Sequence, residues 1–251
     1  MKDSVVPKAI LFDLDDTILS DDSVSEQAWK KTCEICANRV KPTTTDELFS
    51  LINSERISFW NNPVNLREGA WRNLFQSRLV IVKTALHKLG HQDDEIAREI
   101  VITYNNLKAE LVRLFPNTER TLNELKARSI KLALLTNGEA ESQRAKVEKI
   151  GLEAHFPVCL IEGELGFGKP DPRIFQLALD KLQVSSAHAW MVGDRLEFDI
   201  LGAQNVGISG IWCDYTRKGL PPGSPVLPDA IIHDISGLLD LIENGVLTAD
   251  S

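Results

Sequence analysis

The chain has 251 residues, 43% of them hydrophobic and 25% charged, and carries a formal net charge of −8 at neutral pH. This length allows one large domain or two smaller ones, and the composition is that of a globular chain rather than a disordered one. No apolar run approaches the roughly 20 residues of a membrane helix, and the acidic balance argues against a nucleic-acid polymer as partner, because such binders gather Lys and Arg on one face.

The opening, MKDSVVPKAILFDLDD, has no signal-peptide core and no small-residue cleavage site, so a cytoplasmic location is expected. Residues 9 to 13 (AILFD) read as a buried strand that runs into three carboxylates, Asp13, Asp15 and Asp16. From about Asp21 to Leu114 the pattern is almost wholly helical, with Trp29, Trp60 and Trp71 in it and Pro42, Pro63 and Pro116 punctuating it. Cys33 and Cys36 have CxxC spacing, but no second pair and no nearby His completes a zinc set. They are expected as partly buried positions on one helix face.

Beyond the insert, short apolar runs recur at 131–135 (KLALL), 158–161 (VCLI), 189–192 (AWMV) and 208–212 (ISGIW). Between them TERTLNELKARS, AESQRAKVEKIG and PRIFQLALDKLQ repeat apolar residues at helical spacing, and Gly151 ends the second as a cap would. Strands alternating with helices imply an α/β chain, a Rossmann-like doubly wound parallel sheet with an inserted all-helical domain. The core is expected from residues 1–20 and 115–251 and the insert from 21–114, with hinges at Ser20 to Ser23 and near Phe115 to Asn117. The tail LTADS has the composition of a frayed end.

Polar groups sit where the strands end. Asp13 closes the first, Thr136 and Asn137 the second, and Asp194 the fourth, with Asp199 five residues on. Ligands of open parallel sheets bind beyond the carboxyl ends of the strands, so these groups converge on one site. Asp13, Asp15 and Asp194 crowded together need a cation, and an all-oxygen set suits Mg²⁺. Thr136, Lys169 and the turn amides near Asn137 and Gly138 offer donors to a phosphate. Together they point to phosphoryl transfer.

The ordered segments FDLDDT, LLTNG, GKPDPRIF and VGDRLEFDILGA resemble the four motifs of the haloacid dehalogenase superfamily, and the helical insert resembles its C1-type cap. Within it the chain is most similar to phosphatases of the N-acylneuraminate-9-phosphatase and pyrimidine nucleotidase type. This resemblance implies a Mg²⁺-dependent phosphomonoester hydrolase acting on a small soluble phosphorylated metabolite. Asp13 would be the nucleophile that becomes an aspartyl-phosphate, and Asp15 the acid and then the base. It further implies that Asp13, the Asp15 backbone carbonyl and Asp194 hold the metal, with Asp199 behind them, and that Thr136, Asn137 and Lys169 bind the phosphoryl group. Thr17 should tie the turn after the strand, and Asp16 has no catalytic role. Arg195 departs from the pattern, which often has Ser or Thr there.

Rival readings remain open at this point. A 2-haloacid dehalogenase would use the same fold without a second acid, and Asp15 argues against it. A sugar phosphomutase would use the same two aspartates. A phospho-acceptor receiver module also combines acids, Thr, Lys and Mg²⁺, but its acceptor follows a later strand. GELGFGK imitates a phosphate-binding P-loop, yet Pro170 stands where a hydroxyl is required. In the insert, Arg56, Arg67 and Arg72 are candidates for an anionic substrate, whereas Trp60 and Trp71 read as packing. Neither the substrate nor the oligomeric state is legible.

Overall fold

The computed structural model describes residues 6–67, 69–70 and 73–244, the side chains of 66 and 67 excepted. Trp71, Arg72, the Arg67 side chain and the LTADS tail therefore lie outside the described residues. The chain divides into two compact units, residues 1–20 with 113–251 and residues 21–112. The return crossing thus falls two residues before the sequence-based boundary.

The first unit is built on a parallel sheet of β1 (Ala9–Phe12), β2 (Lys131–Thr136), β3 (Val158–Ile161), β4 (Ala189–Gly193), β5 (Ser209–Cys213) and β6 (Ala230–Ile232), in the order β3-β2-β1-β4-β5-β6. All four residues of β1 are buried, as a central strand covered on both faces demands. β1 pairs in register with Lys131 to Leu134 on one side and Ala189 to Val192 on the other. Strand order reverses between β1 and β4, which opens a crevice at their carboxyl ends. β6 was not foreseen from the sequence; it is a three-residue edge strand, too short for a periodic signal.

Among the described residues the second unit carries the α-helices α1 (Ser25–Cys36), α2 (Thr45–Trp60), α3 (Pro63–Arg67), α4 (Leu74–Lys88) and α5 (Asp94–Leu111). α1 packs on α2 and α5, and α4 on α2 and α5, around Trp29, Leu48, Ile52, Val82, Leu86, Ile100 and Tyr104. The Trp29 and Tyr104 rings stack at 3.8 Å. Thr44 and Glu47 form a reciprocal capping box at α2, and the Asp93 carboxylate caps α5, each satisfying amides that a helix start leaves without partners. A buried ion pair at 2.5 Å joins Lys108 of α5 to Asp21, where this unit begins. Arg56 donates to Ser25 and Asn53, and Trp60 meets Phe59 edge-on. Cys33 and Cys36 are free thiols buried in α1, and burial pushes the Cys33 thiol up to about 12. A thiol so held is an inert core group.

The sheet is flanked by α6 (Thr118–Ala127), α7 (Ala140–Ile150), α8 (Glu162–Leu165), α9 (Pro172–Leu182), α10 (Gly202–Gln204) and α11 (Gly237–Asn244). α9 carries the stripe Ile174, Phe175, Ala178, Leu179 and Leu182 onto a cluster that includes Leu11, Leu135, Leu160 and Met191. Asp171 caps α9 with Pro172 in its first turn, and Gly151 ends α7 at φ 73°, as the sequence signals require.

The loops after β2 and β3 are fastened together by the Gly163 N–H donating to the Gly138 carbonyl at 3.0 Å. A Cβ at Gly163 would lie 2.4 Å from the Ala140 nitrogen and 2.8 Å from the Gly138 oxygen, both of them backbone atoms. Gly163→Ala should therefore force these loops apart and lower stability by about 1–3 kcal/mol, as overpacked sites do, read from the midpoint of urea unfolding.

Candidate active site

Asp13 follows β1 directly, and its N–H continues the ladder by donating to the Val192 carbonyl. Its Oδ2 accepts the Thr17 hydroxyl at 3.1 Å. Between these two residues the chain reverses tightly: the Asp16 N–H donates to Leu19, and both Ile18 and Leu19 donate to the Leu14 carbonyl. Asp16 stands at φ 58°, a left-handed conformation that Asp tolerates better than most residues. Thr17 ties the turn, and Asp16 shapes it.

Lys169 occupies the centre of the site with only 4% of its surface exposed. Its ammonium lies 2.5 Å from Asp13 Oδ1 and 2.6 Å from Asp199 Oδ1. Burial works against the ammonium charge, but the two carboxylates outweigh it and hold Lys169 above its ordinary value. Asp13 is raised by burial, against the pull of Lys169 and with the push of Asp199. Asp194 is raised well above the carboxylate range by burial and then by Asp13 and Asp199.

The loop carrying Lys169 is clamped by Asn137. The Asn137 amide donates to the Lys169 carbonyl at 2.7 Å and accepts from the Lys169 N–H at 2.8 Å. Its side chain is thereby committed to the backbone beside Lys169. Gly168 allows this approach, since a Cβ there would sit 2.6 Å from Asn137 Oδ1. Glu162, buried at the end of β3, accepts the Gly138 N–H at 3.1 Å. Thr136 is 1% exposed, and its hydroxyl accepts from Gln143 Nε2 at 2.5 Å.

Asp15 is held by two side chains of α7. The Lys146 ammonium contacts both of its carboxylate oxygens, at 2.7 and 2.8 Å, and Gln143 Nε2 donates to Oδ2 at 2.9 Å. Neither partner was foreseen from the sequence. One signal was present: Gln143 is a polar residue four positions before Val147 on the buried stripe of α7, where an apolar residue is the norm.

After β4 the chain makes a wide helical turn, Leu196–Leu201, in which the Asp199 and Ile200 N–H groups both point to the Arg195 carbonyl. Asp199 is thereby turned back inward, fully buried, with Oδ2 accepting the Arg195 N–H at 2.9 Å. Gly193 makes room for it, because a Cβ there would lie 2.3 Å from the carboxyl. The Arg195 guanidinium lies over the Phe198 ring at 5.5 Å. Asp194 is held from behind by the Trp212 indole N–H, which donates to its carbonyl at 2.8 Å; sequence reasoning did not find this contact.

One carboxylate oxygen from each of Asp13, Asp194 and Asp199 falls within a 4.8 Å cluster. Three carboxylates face one ammonium, an excess of negative charge that a hard divalent cation offsets, and oxygen-only donors are what such a cation takes. The residues present fit the group.

The haloacid dehalogenase-like hydrolase family model matches residues 7–207. Phosphoserine phosphatase from Thermus thermophilus is 34% identical, with 91% of this chain and 96% of that protein covered. N-acylneuraminate-9-phosphatase from Rattus norvegicus is 25% identical, with 94% of each covered. Among solved structures, the HAD-hydrolase YfnB of Bacillus subtilis, bound to magnesium, shares the fold with a TM-score of 0.73 and 22% identity, over 94% of this chain and 99% of that one. A 2-haloacid dehalogenase from Pseudomonas syringae matches with a TM-score of 0.61 and 27% identity, over 96% and 100%. The chain belongs to the haloacid dehalogenase-like hydrolase family and is an enzyme.

Lys169→Met removes the ammonium from between two buried carboxylates. Breaking a buried ion pair from one side costs about 3–5 kcal/mol, so the unfolding free energy in chelator should fall by that amount in urea titrations.

Proposed function

We propose that this enzyme is a Mg²⁺-dependent phosphomonoester hydrolase of small phosphorylated metabolites, working through an aspartyl-phosphate on Asp13. The observation that carries the reading is the pair of separately held carboxylates at the end of β1. Asp13 is set by Thr17 and Lys169, whereas Asp15 is set by Lys146 and Gln143. A nucleophile and a proton carrier need such different surroundings. The curated relatives named for phosphoserine and N-acylneuraminate 9-phosphate support the same substrate class.

In the first step an Asp13 oxygen attacks phosphorus while the bond to the leaving oxygen breaks and Asp15 gives that oxygen its proton. In the second, water attacks phosphorus, Asp15 takes a proton from it, and the Asp13 carboxylate is regenerated as phosphate departs. The Thr136 hydroxyl, the Asn137 backbone amide and a Lys169 N–H would bind the transferring group and offset its charge. Asp13, the Asp15 backbone carbonyl and Asp194 would hold Mg²⁺, with Asp199 fixing Lys169 behind them. When bound, the cation supplies the positive charge that lets an anionic carboxylate approach an anionic phosphate ester. The helical unit, residues 21–112, would act as the cap that excludes water and selects the leaving group.

The dehalogenase likeness favours no second reading, because attack on carbon leaves a halide that needs no proton and so gives Asp15 nothing to do. Sugar phosphomutase activity is separated by product: free phosphate supports hydrolysis, and an isomerised sugar phosphate overturns it.

Asp13→Asn should abolish turnover in a screen of sugar phosphates, nucleoside monophosphates and phosphorylated acids while leaving the circular dichroism spectrum unchanged; retained turnover would end the scheme. Mg²⁺ should raise the thermal midpoint of the wild-type protein, and Asp194→Asn should erase that rise. This second measurement reads metal binding without reference to activity.

A further inference from the structure

We propose that Gln143 and Lys146 of α7 are the positioning residues of Asp15, holding its carboxyl group in register with the phosphoryl pocket. The inference rests on the reading of Asp15 as the proton carrier. Asp15 stands on a turn beyond β1 with 28% of its side chain exposed, and a carboxyl group so placed would otherwise rotate among its staggered wells. Proton transfer tolerates no such freedom, since a misplacement of 1 Å can cost about 10²-fold in rate.

Two donors from one helix provide the restraint. Lys146 reaches both oxygens of Asp15 at 2.7 and 2.8 Å. Gln143 lies three residues earlier on the same helix face and is 3% exposed. Its Nε2 lies 2.9 Å from Asp15 Oδ2, 2.5 Å from the Thr136 hydroxyl and 3.0 Å from the Asn137 carbonyl. An amide nitrogen has two hydrogens for these three acceptors, so the place of Asp15 and the place of the phosphate-binding strand end are set by the same atom. An in-line reaction requires that registration, because the leaving oxygen departs from the side of phosphorus opposite the nucleophile.

Lys146 and Gln143 keep their own protons throughout; the proton that moves is the one on Asp15. A part-exposed ion pair of this kind adds little to folding stability, which separates a positioning role from a merely structural one.

The test compares p-nitrophenyl phosphate, whose leaving group needs no proton, with an alkyl phosphate monoester, whose leaving group does. Lys146→Met should lower kcat/KM, which reads only the first step and not the hydrolysis common to both esters, about 10²-fold on the alkyl ester and at least tenfold less on the aryl ester. Because the ratio is taken on one preparation, it is independent of the folded fraction. Lys146→Arg should restore most of the alkyl activity, and in an Asp15→Asn background Lys146→Met should cause no further loss. Equal losses on the two esters, or an additive loss in the Asp15→Asn background, overturn the inference alone. A wild-type enzyme that hydrolyses neither ester overturns the phosphatase reading and the inference with it.

Discussion

The interaction on which the site depends is the Lys169 ammonium between the Asp13 and Asp199 carboxylates. A buried charge is tolerated only when it is paired and hydrogen-bonded, and here the pairing joins residues 156 and 30 positions apart in the chain. It links the end of β1, the loop before α9 and the turn after β4. The first and last of these border the reversal of strand order, and the ammonium brings the loop before α9 to them.

The neighbouring loops serve that constraint. Asn137 grips the backbone of Lys169, Glu162 holds the Gly138 amide, and Gly163, Gly168 and Gly193 supply close approaches that a methyl group would block. The Trp212 indole reaches Asp194 from β5. Asp13, Asn137 and Asp194 are therefore each tied to a residue from another strand or loop, and Thr136 to the helix α7. A rigid frame of this kind places charge before a ligand arrives, so no reorganisation is required at the moment of reaction.

Much of this was legible in the sequence. Five of the six strands announce themselves as buried apolar runs, and the acids, Thr136 and Lys169 stand out because they interrupt or follow those runs. Gly151 and the pair Asp171 and Pro172 mark helix ends by conformational necessity. The second unit ends at Val112, two residues before the expected end of the insert, where the backbone turns extended, with ψ 128°. Lys146, Glu162 and Trp212 escaped for another reason. Their residue types are ordinary at those positions, and only tertiary geometry selects which polar atom each of them meets.

The two chain crossings into the helical unit are paired side by side. The Ser20 N–H donates to the Arg113 carbonyl, Leu19 bridges Leu114 antiparallel, and the Phe115 N–H reaches the Ile18 carbonyl. Topologically, the helical unit is then a long loop whose mouth is already shut by the sheet unit. Closing such a loop costs entropy that grows only with the logarithm of its length. The sheet unit is therefore nearly indifferent to what is strung between these two crossings, and the inserted segment can be exchanged or rebuilt by evolution while the carboxylates at the strand ends stay where they are.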